Sequence, residues 1–142
     1  MASPLTMSKS DREAFLADLH VGVLAIARDG APLAGPVWYR YEPGGDVVIS
    51  IGRESEKARL LAAAGRASLC AQREELPYAF VTVEGPVTIS PGDQAERAGL
   101  AERYLGELAT RYLDDTKGEE TVIVRLTPER WRTRDYSQGD RG

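Results

Sequence analysis

Apolar and polar residues alternate with a period of two over most of this chain, and the period lengthens to three or four at only three places. The alternating stretches predict strands at residues 20–28, 33–41, 47–51, 67–72, 78–89 and 121–126, with a seventh at 131–136. The helical spacing predicts helices at residues 10–19, 55–64 and 92–113. Because the strands are short and mostly joined by turns, the pattern favours a mainly β (α+β) antiparallel barrel over a doubly wound parallel sheet.

The first and third helices are predicted from a capping motif and from apolar spacing. Residues 10–13 (Ser-Asp-Arg-Glu) form a capping box that opens the first helix. The third helix has an apolar face of residues three or four apart: Ala101, Leu105, Leu108 and Tyr112. We expect this face to pack on the barrel.

Turn and breaker residues locate the corners of the predicted sheet. Asp29-Gly30 predicts a tight hairpin between the first two strands. Gly85 and Pro86 interrupt the long strand at 78–89, and they predict a bend or bulge at an edge or a barrel corner. The second strand has two different faces: Val37, Tyr39 and Tyr41 on one, and Pro36, Trp38 and Arg40 on the other.

The composition is that of one globular domain. The 142 residues are 42% hydrophobic and 28% charged. They fit a single domain over residues 1–142, with residues 1–9 and 137–142 expected to be loosely held. The net charge of −4 disfavours nucleic-acid binding, and no apolar run approaches the roughly 20 residues of a membrane span. The N-terminal sequence lacks the apolar segment of a secretory signal, so we expect a cytoplasmic protein.

Histidine and cysteine are too scarce for a metal centre or a disulfide framework. The chain has one histidine, His20, and one cysteine, Cys70, and its carboxylates lack the spacing of metal ligands. We therefore expect no metal site. The apolar neighbours of Cys70 predict a position in the core.

The junction between the strand at 47–51 and the helix at 55–64 is the leading candidate for a binding site. Gly52 breaks the strand, and Ser55, Lys57 and Arg59 follow in the first turns of the helix. A helix N-terminus offers unpaired N–H groups and the positive end of the helix dipole, so these side chains suit a phosphate group. The alternative is that Ser55 only caps the helix while Lys57 and Arg59 are solvated.

Five segments, in this order and spacing, resemble the split β-barrel flavin and deazaflavin oxidoreductases typified by pyridoxamine 5′-phosphate oxidase. They are VGVLAIARDGAPLAGPVWYRY, SIGRESEKARLL, ASLCAQ, YAFVTVEGPVTIS with its VEG element, and the late ERW. The resemblance covers roughly residues 11–136. It implies an antiparallel split β-barrel of the FMN-binding type.

The same resemblance implies a homodimer with two equivalent cofactor sites at the subunit interface. The phosphate-contacting positions of the family fall on Ser55 and Lys57, with Arg53 and Arg59 nearby. Trp131 resembles an aromatic residue that the partner subunit brings towards the site, although it is equally compatible with interface core. The ring system of the cofactor is expected against the second and third strands, at Pro36, Val37, Trp38, Ser50, Ile51 and Gly52.

Departures from the family pattern bear on the choice of cofactor. The relatives that bind FMN place an arginine directly before the helix lysine, where this chain has Glu56. An anion beside the dianionic phosphate of FMN is unfavourable. The deazaflavin coenzyme F420 has a singly charged phosphodiester that suits Ser55 and Lys57, and an oligoglutamate tail that Arg40, Arg53 and Arg59 would meet. The resemblance therefore implies F420, with FMN as the alternative.

The implied reaction is hydride transfer from the reduced deazaflavin to an activated double bond of a small molecule. Such an enzyme has mainly to hold the ring against the acceptor and exclude water, so no catalytic residue is assigned. Tyr39, Tyr41 and Tyr78 are candidate proton donors, and each is equally a barrel residue.

One further departure from the family pattern concerns the substrate, and one further alternative concerns the cofactor. The late Arg-x-His substrate motif of the oxidase is replaced by Arg132-Thr-Arg134, which argues against oxidation of pyridoxamine phosphate. A third alternative is a non-catalytic or haem-handling barrel, in which His20 would be the only imidazole ligand.

Overall fold

In the computed structural model, which describes residues 3–138, the chain folds into eight strands and four α-helices. The strands are β1 Gly22–Ile26, β2 Leu33–Val37, β3 Arg40–Tyr41, β4 Val47–Gly52, β5 Arg66–Arg73, β6 Ala79–Pro91, β7 Thr121–Leu126 and β8 Arg130–Asp135. The helices are α1 Lys9–Ala17, α2 Glu56–Ala64, α3 Gln94–Leu105 and α4 Ala109–Asp115, with a 3₁₀ turn at Gly106–Leu108 between the last two. Among these described helices, none has both the length and the apolarity to cross a membrane.

The strands form one curled antiparallel sheet in the order β2-β1-β5-β6-β7-β4-β3, and β8 pairs with β6. Strand β6 is 13 residues long and joins the two halves of the sheet. Its first part lies between β5 and β8, and its last part pairs with β7. The predicted antiparallel split β-barrel is therefore confirmed.

Strand β6 changes partners at Gly85 and Pro86. A Cβ atom on Gly85 would lie 1.8 Å from the carbonyl oxygen of Thr127, so only glycine permits this close approach. The crossing is held by the N–H of Thr127, which donates to the carbonyl of Pro86 (3.0 Å), and by that of Glu129, which donates to Glu84 (2.9 Å). The barrel corner predicted from Gly85 and Pro86 is confirmed.

The core fills the concave side of the sheet and is closed by α1 and α2. Tyr39 is fully buried, and its hydroxyl donates to the carbonyl oxygen of Leu16 in α1 (2.7 Å). The largest fully buried aliphatic side chains are Leu16, Leu24, Ile26, Ile49, Leu61, Leu69, Ile123 and Leu126. Cys70 is half-buried on the opposite face of β5 from Leu69 and Ala71, so its predicted core position is wrong. The period of the strand turns its side chain outward.

Helix α1 begins earlier than predicted because Ser8, not Ser10, is the N-cap. The Ser8 hydroxyl oxygen accepts a hydrogen bond from the N–H of Asp11 (3.1 Å), which leaves Ser10 inside the first turn. The helix also ends at Ala17 rather than at residue 19, with Asp18 as its C-cap.

The predicted helix at 92–113 is interrupted at Gly106. This residue has φ 56° and ψ −122°, a conformation that favours glycine, and it ends α3. The interruption changes the phase of the helix, so Leu108 is 64% exposed instead of packed. The buried residues of the two helices include Leu100, Ala101 and Ala109.

The predicted strand at 33–41 is also interrupted, which raises the number of strands to eight. At the break the N–H of Tyr39 donates to the hydroxyl oxygen of Tyr104 (3.0 Å). That hydroxyl lies 2.6 Å from the carbonyl oxygen of His20 and 2.9 Å from that of Tyr39. A side chain of α3 thus replaces a neighbouring strand, and the predicted alternation of faces continues across the break.

The N-terminal segment lies along β8. The N–H of Asp135 donates to the carbonyl of Leu5 (2.8 Å), and the N–H of Met7 donates to the hydroxyl oxygen of Thr133 (3.0 Å). These contacts tie residues 5–7, which the sequence places among the loosely held ends, to the sheet. Residues 136–138 form a turn, and residues 139–142 of the predicted loose tail lie outside the described residues.

Candidate functional site

A groove of about 390 Å³ opens where β2, β4 and the beginning of α2 meet. Eight of the eleven predicted cofactor-binding residues line it: Pro36, Val37, Trp38, Ser50, Ile51, Gly52, Ser55 and Lys57. Val21 and Tyr112 complete the lining. Residues that are far apart in sequence are therefore brought together as the resemblance implies. Their role in binding a cofactor stays a prediction.

Ser55 is the N-cap of α2. Its hydroxyl oxygen accepts a hydrogen bond from the N–H of Ala58 (3.1 Å), and its hydroxyl donates to the carbonyl of Gly52 (2.7 Å). The capping role considered from the sequence is thus observed, and the hydroxyl proton is already used. The N–H groups of Glu56 and Lys57 find no acceptor among residues 3–138, so they are the donors that this helix end offers to an anion.

Lys57 extends from α2 across the backbone of β2 at Gly35. A Cβ atom on Gly35 would lie 3.2 Å from Cε and 3.4 Å from Nζ of Lys57, so the absence of a side chain makes room for the ammonium group. Within the described part of the chain, no carboxylate lies within 4.0 Å of this ammonium. Lys57 is therefore an unpaired cation at the wall of the groove.

The arginines near this helix end are already paired with carboxylates. Arg28, which sequence reasoning missed, lies 3.0 Å from Glu56, and Arg59 lies 3.7 Å from the same carboxylate. Arg53 lies 2.8 Å from Glu120. These pairs are exposed and contribute little to stability, but the two guanidinium groups offset the negative charge of Glu56.

A stack of aromatic rings forms one wall of the groove. Trp38 lies parallel to Tyr104, with ring centroids 5.2 Å apart and an angle of 7° between the planes. Tyr112 packs against Trp38 at 5.4 Å with a tilt of 52°. Because backbone contacts at the break between β2 and β3 hold the Tyr104 hydroxyl, the Trp38 ring has a fixed support. The alternation of residues predicted Trp38, but no local pattern indicated Tyr104.

The three tyrosines considered as proton donors lie away from the groove. Tyr39 is buried in the core, and this burial raises the pKa of its phenol above the ordinary range. Burial also raises the pKa of Tyr41, whose hydroxyl donates to Glu13 (3.3 Å). Tyr78 is exposed and immediately precedes β6. Among the described residues, Tyr112 is the phenol that lines the groove.

The other three predicted residues do not line the groove of their own chain. Arg53 faces a larger cleft of about 700 Å³ beside Glu120, and Arg59 lies on the exposed side of α2. Trp131 packs against the core, with the Arg12 guanidinium 4.5 Å from its ring. Its approach to a partner's site stays a prediction.

The predicted haem ligand is held by local contacts. His20 stacks on Phe15 with centroids 4.5 Å apart, and its Nε2 lies 3.0 Å from the Phe15 carbonyl oxygen. Among residues 3–138 there is no cluster of three or more His, Cys, Asp or Glu side chains that would hold a metal ion.

Comparison with known proteins identifies one family and a shared fold. The family model described as pyridoxamine 5′-phosphate oxidase matches residues 9–135. No curated protein matches this chain.

Solved structures share the fold at low sequence identity. A conserved hypothetical protein from Mycobacterium tuberculosis is 23% identical with a TM-score of 0.79, over 99% of this chain and 92% of that one. A protein described as an F420 reductase is 23% identical with a TM-score of 0.69, over 84% of this chain and 94% of that one. An FAD- and haem-binding protein from Mycobacterium smegmatis is 20% identical with a TM-score of 0.67, over 92% and 72%.

Proposed function

The chain belongs to the pyridoxamine 5′-phosphate oxidase family, and from this premise we propose that it is an oxidoreductase that binds a flavin-type cofactor in the groove beside Lys57. The membership confirms the resemblance expected from the sequence. The groove has a volume of about 390 Å³, within the usual range of small-molecule sites. Its lining combines a flat aromatic wall, a free helix N-terminus and one unpaired ammonium group.

The preferred cofactor in this proposal is the deazaflavin coenzyme F420, and one observation carries that preference. Lys57 is the unpaired cation of the groove, whereas the arginines near the helix end all lie beside carboxylates. One ammonium group matches the single charge of a phosphodiester better than the near-dianionic phosphate of FMN. A protein described as an F420 reductase has the same fold, which supports this choice.

The bound cofactor would supply hydride to an activated double bond of a small molecule. In this proposal the residues of the chain bind and orient the reactants and exclude water. Trp38 and Tyr112 shield one side of the groove, and the N–H groups of Glu56 and Lys57 hold the phosphate. Tyr112 is the phenol placed to hold a proton near the groove.

Side-by-side titration of the cofactor-free protein with F420 and with FMN tests this proposal. We expect tighter binding of F420. Lys57→Ala should weaken it by about 1–3 kcal/mol, roughly 5- to 150-fold, because a charge-assisted contact is lost. Arg66→Ala is the control, since it removes an exposed cation that is paired with Glu129 outside the groove, and it should change affinity little. Equal affinities of Lys57→Ala and wild type would remove Lys57 from the phosphate site.

FMN remains the second candidate because of the Arg28–Glu56 pair. The guanidinium group 3.0 Å away offsets the anion that would otherwise repel a dianionic phosphate. Under this alternative, wild type binds FMN more tightly than F420. Glu56→Gln should then raise FMN affinity further, because it removes the carboxylate and releases Arg28.

We also propose that two copies pair through an outward-facing surface of β2, β1 and β5, here called the outer face. Register places Pro36, Val23 and Cys70 in one row across these strands, and Val21 lies beside them. Val21 is 53% exposed and Val23 is 41% exposed. Because Val21 and Pro36 also line the groove, a second copy on the outer face would border the cofactor site.

Sedimentation tests this pairing. The molecular mass of wild type from sedimentation equilibrium should be twice the chain mass of 15.5 kDa. The mass of Val23→Glu should be that of a single chain, because the substitution places a charge in the outer face. Thr88→Glu is the control, because Thr88 is exposed in the part of β6 that pairs with β7, away from the outer face. A monomeric wild type would disprove the dimer.

A further inference from the structure

A small side chamber adjoins the groove on the far side of Trp38. Its volume is about 90 Å³, and it shares Trp38, Ser50, Ile51, Gly52 and Tyr112 with the groove. Residues from α3 and from the chain after α4 complete it: Arg97, Leu100, Glu119 and Thr121. The chamber therefore lies next to the space that the cofactor or its reaction partner would occupy.

Arg97 is a buried cation that the rest of the described chain only partly satisfies. Its side chain belongs to α3, and the residue is 7% exposed. One terminal nitrogen, Nη2, donates to the carbonyl (3.2 Å) and to the hydroxyl of Thr116. Among residues 3–138, Nε and Nη1 have no acceptor, and no carboxylate lies within 4.0 Å of the guanidinium.

A purely structural role accounts for only part of this arrangement. Thr116 is the C-cap of α4, so Nη2 meets the negative end of that helix. A helix end corresponds to roughly half a unit charge, and the guanidinium also lies 5.8 Å from the centroid of the Tyr112 ring, but three of its five N–H donors remain without an acceptor. Nε and Nη1 of Arg97 are not among the enclosed polar atoms that lack a partner, so their N–H groups are accessible to an anionic ligand in the chamber that Arg97 lines.

The geometry points to a subsite in the side chamber where Arg97 binds a carboxylate-sized anionic group. A chamber of about 90 Å³ is too small for a fused ring system, and the planar guanidinium matches two oxygen atoms held in one plane. The group has two sources, each of which would present electron-rich oxygen atoms to the guanidinium. It is the carboxylate of an acceptor molecule, or the electron-rich carbonyl edge of the cofactor ring.

Glu119 tunes the affinity of this subsite. Its exposed carboxylate lines the same chamber but is not paired with Arg97 at 4.0 Å or less. The Glu119 carboxylate therefore repels an anion that enters the chamber, and it does not neutralise Arg97 itself. This placement supplies a variant that should strengthen binding, in contrast to the loss expected from changing Arg97.

Acetate titration of the purified full-length protein without cofactor tests the subsite. The signal is the change in tryptophan fluorescence, to which Trp38 contributes because it lines the chamber, measured against sodium chloride at matched ionic strength. Wild type should give a saturable change, Arg97→Gln should weaken acetate binding at least tenfold, and Glu119→Gln should strengthen it about threefold. If Arg97→Gln does not fold, the comparison of wild type with Glu119→Gln decides. Equal binding by Arg97→Gln and wild type, or no saturation beyond chloride in either wild type or Glu119→Gln, would overturn the inference.

A second titration in the presence of saturating FMN or F420 distinguishes the two sources. Loss of acetate binding when the cofactor is present assigns the subsite to the cofactor ring, and unchanged binding assigns it to an acceptor carboxylate. The acetate result does not rest on the proposed function. If neither cofactor binds, the proposed function fails while the Arg97 subsite is still decided by acetate alone.

Discussion

Replacing Gly85 by alanine should strongly destabilise the protein, because this glycine is where β6 passes the chain that follows β7. The added Cβ would lie 1.8 Å from the carbonyl oxygen of Thr127. An ordinary contact between these atoms needs more than 3 Å of separation, so the backbone must move by over about 1 Å. That movement breaks or weakens the two hydrogen bonds of the crossing, from Thr127 to Pro86 and from Glu129 to Glu84.

The size of the effect follows from these contacts. Two backbone hydrogen bonds contribute about 1–3 kcal/mol together, and forced overpacking costs about 1–3 kcal/mol more. The free energy of unfolding should therefore fall by about 2–6 kcal/mol. For a chain of this size that corresponds to a fall in Tm of roughly 6–20 °C.

Urea and thermal unfolding followed by circular dichroism would measure this loss. Gly99→Ala is the matched control, because nothing lies within 4 Å of its added Cβ and the site is inside α3. This control should stabilise the protein by about 0.5–1 kcal/mol. A Gly85→Ala protein within about 0.5 kcal/mol of wild type would refute the reasoning about the crossing.

Two further predictions concern the groove and the helix beside it. Gly35→Ala should displace the Lys57 ammonium by a few tenths of an ångström and lower cofactor affinity. Tm should change little, because the flexible end of the lysine side chain gives way. An unchanged affinity in titration would contradict this prediction. Glu96 accepts hydrogen bonds from Arg40, which hold the pKa of its carboxyl below the ordinary value. The pair therefore stabilises the fold above about pH 4.3, and the contribution is lost as pH falls through the lowered pKa. Glu96→Gln should be less stable than wild type by about 1 kcal/mol at pH 7, with the difference vanishing in acid unfolding curves below the lowered pKa.

Local sequence patterns predict most of the sheet and the helix end that borders the groove. Alternation of apolar residues reports directly which face of a strand is buried, so Trp38 was correctly separated from the core residues beside it. Gly52 and Ser55 mark a strand end and a helix cap, both of which are local events. These signals predict the helix end of the groove, whereas the residues expected beside the cofactor ring follow from the family resemblance.

The errors and omissions arise where distant residues decide the structure. The break between β2 and β3 depends on the hydroxyl of Tyr104, which is 65 residues from Tyr39. Arg28 reaches Glu56 only because the β1–β2 hairpin folds beside α2, at a separation of 28 residues. No sequence pattern singles out Arg97, because arginines on helices are mostly exposed, and only packing shows its burial. Charge and spacing alone contain no information about such contacts.

The hydroxyl of Tyr104 also has a consequence for the order in which the molecule assembles. It joins α3 to the ends of β1 and β2, over separations of 65 and 84 residues. Closing loops of that length costs entropy before any contact is gained, so the aromatic wall is not formed early by local contacts. A cofactor that recognises only the completed wall binds after the rate-limiting step. It would lengthen the lifetime of the native state by slowing unfolding, and it would leave the folding rate unchanged.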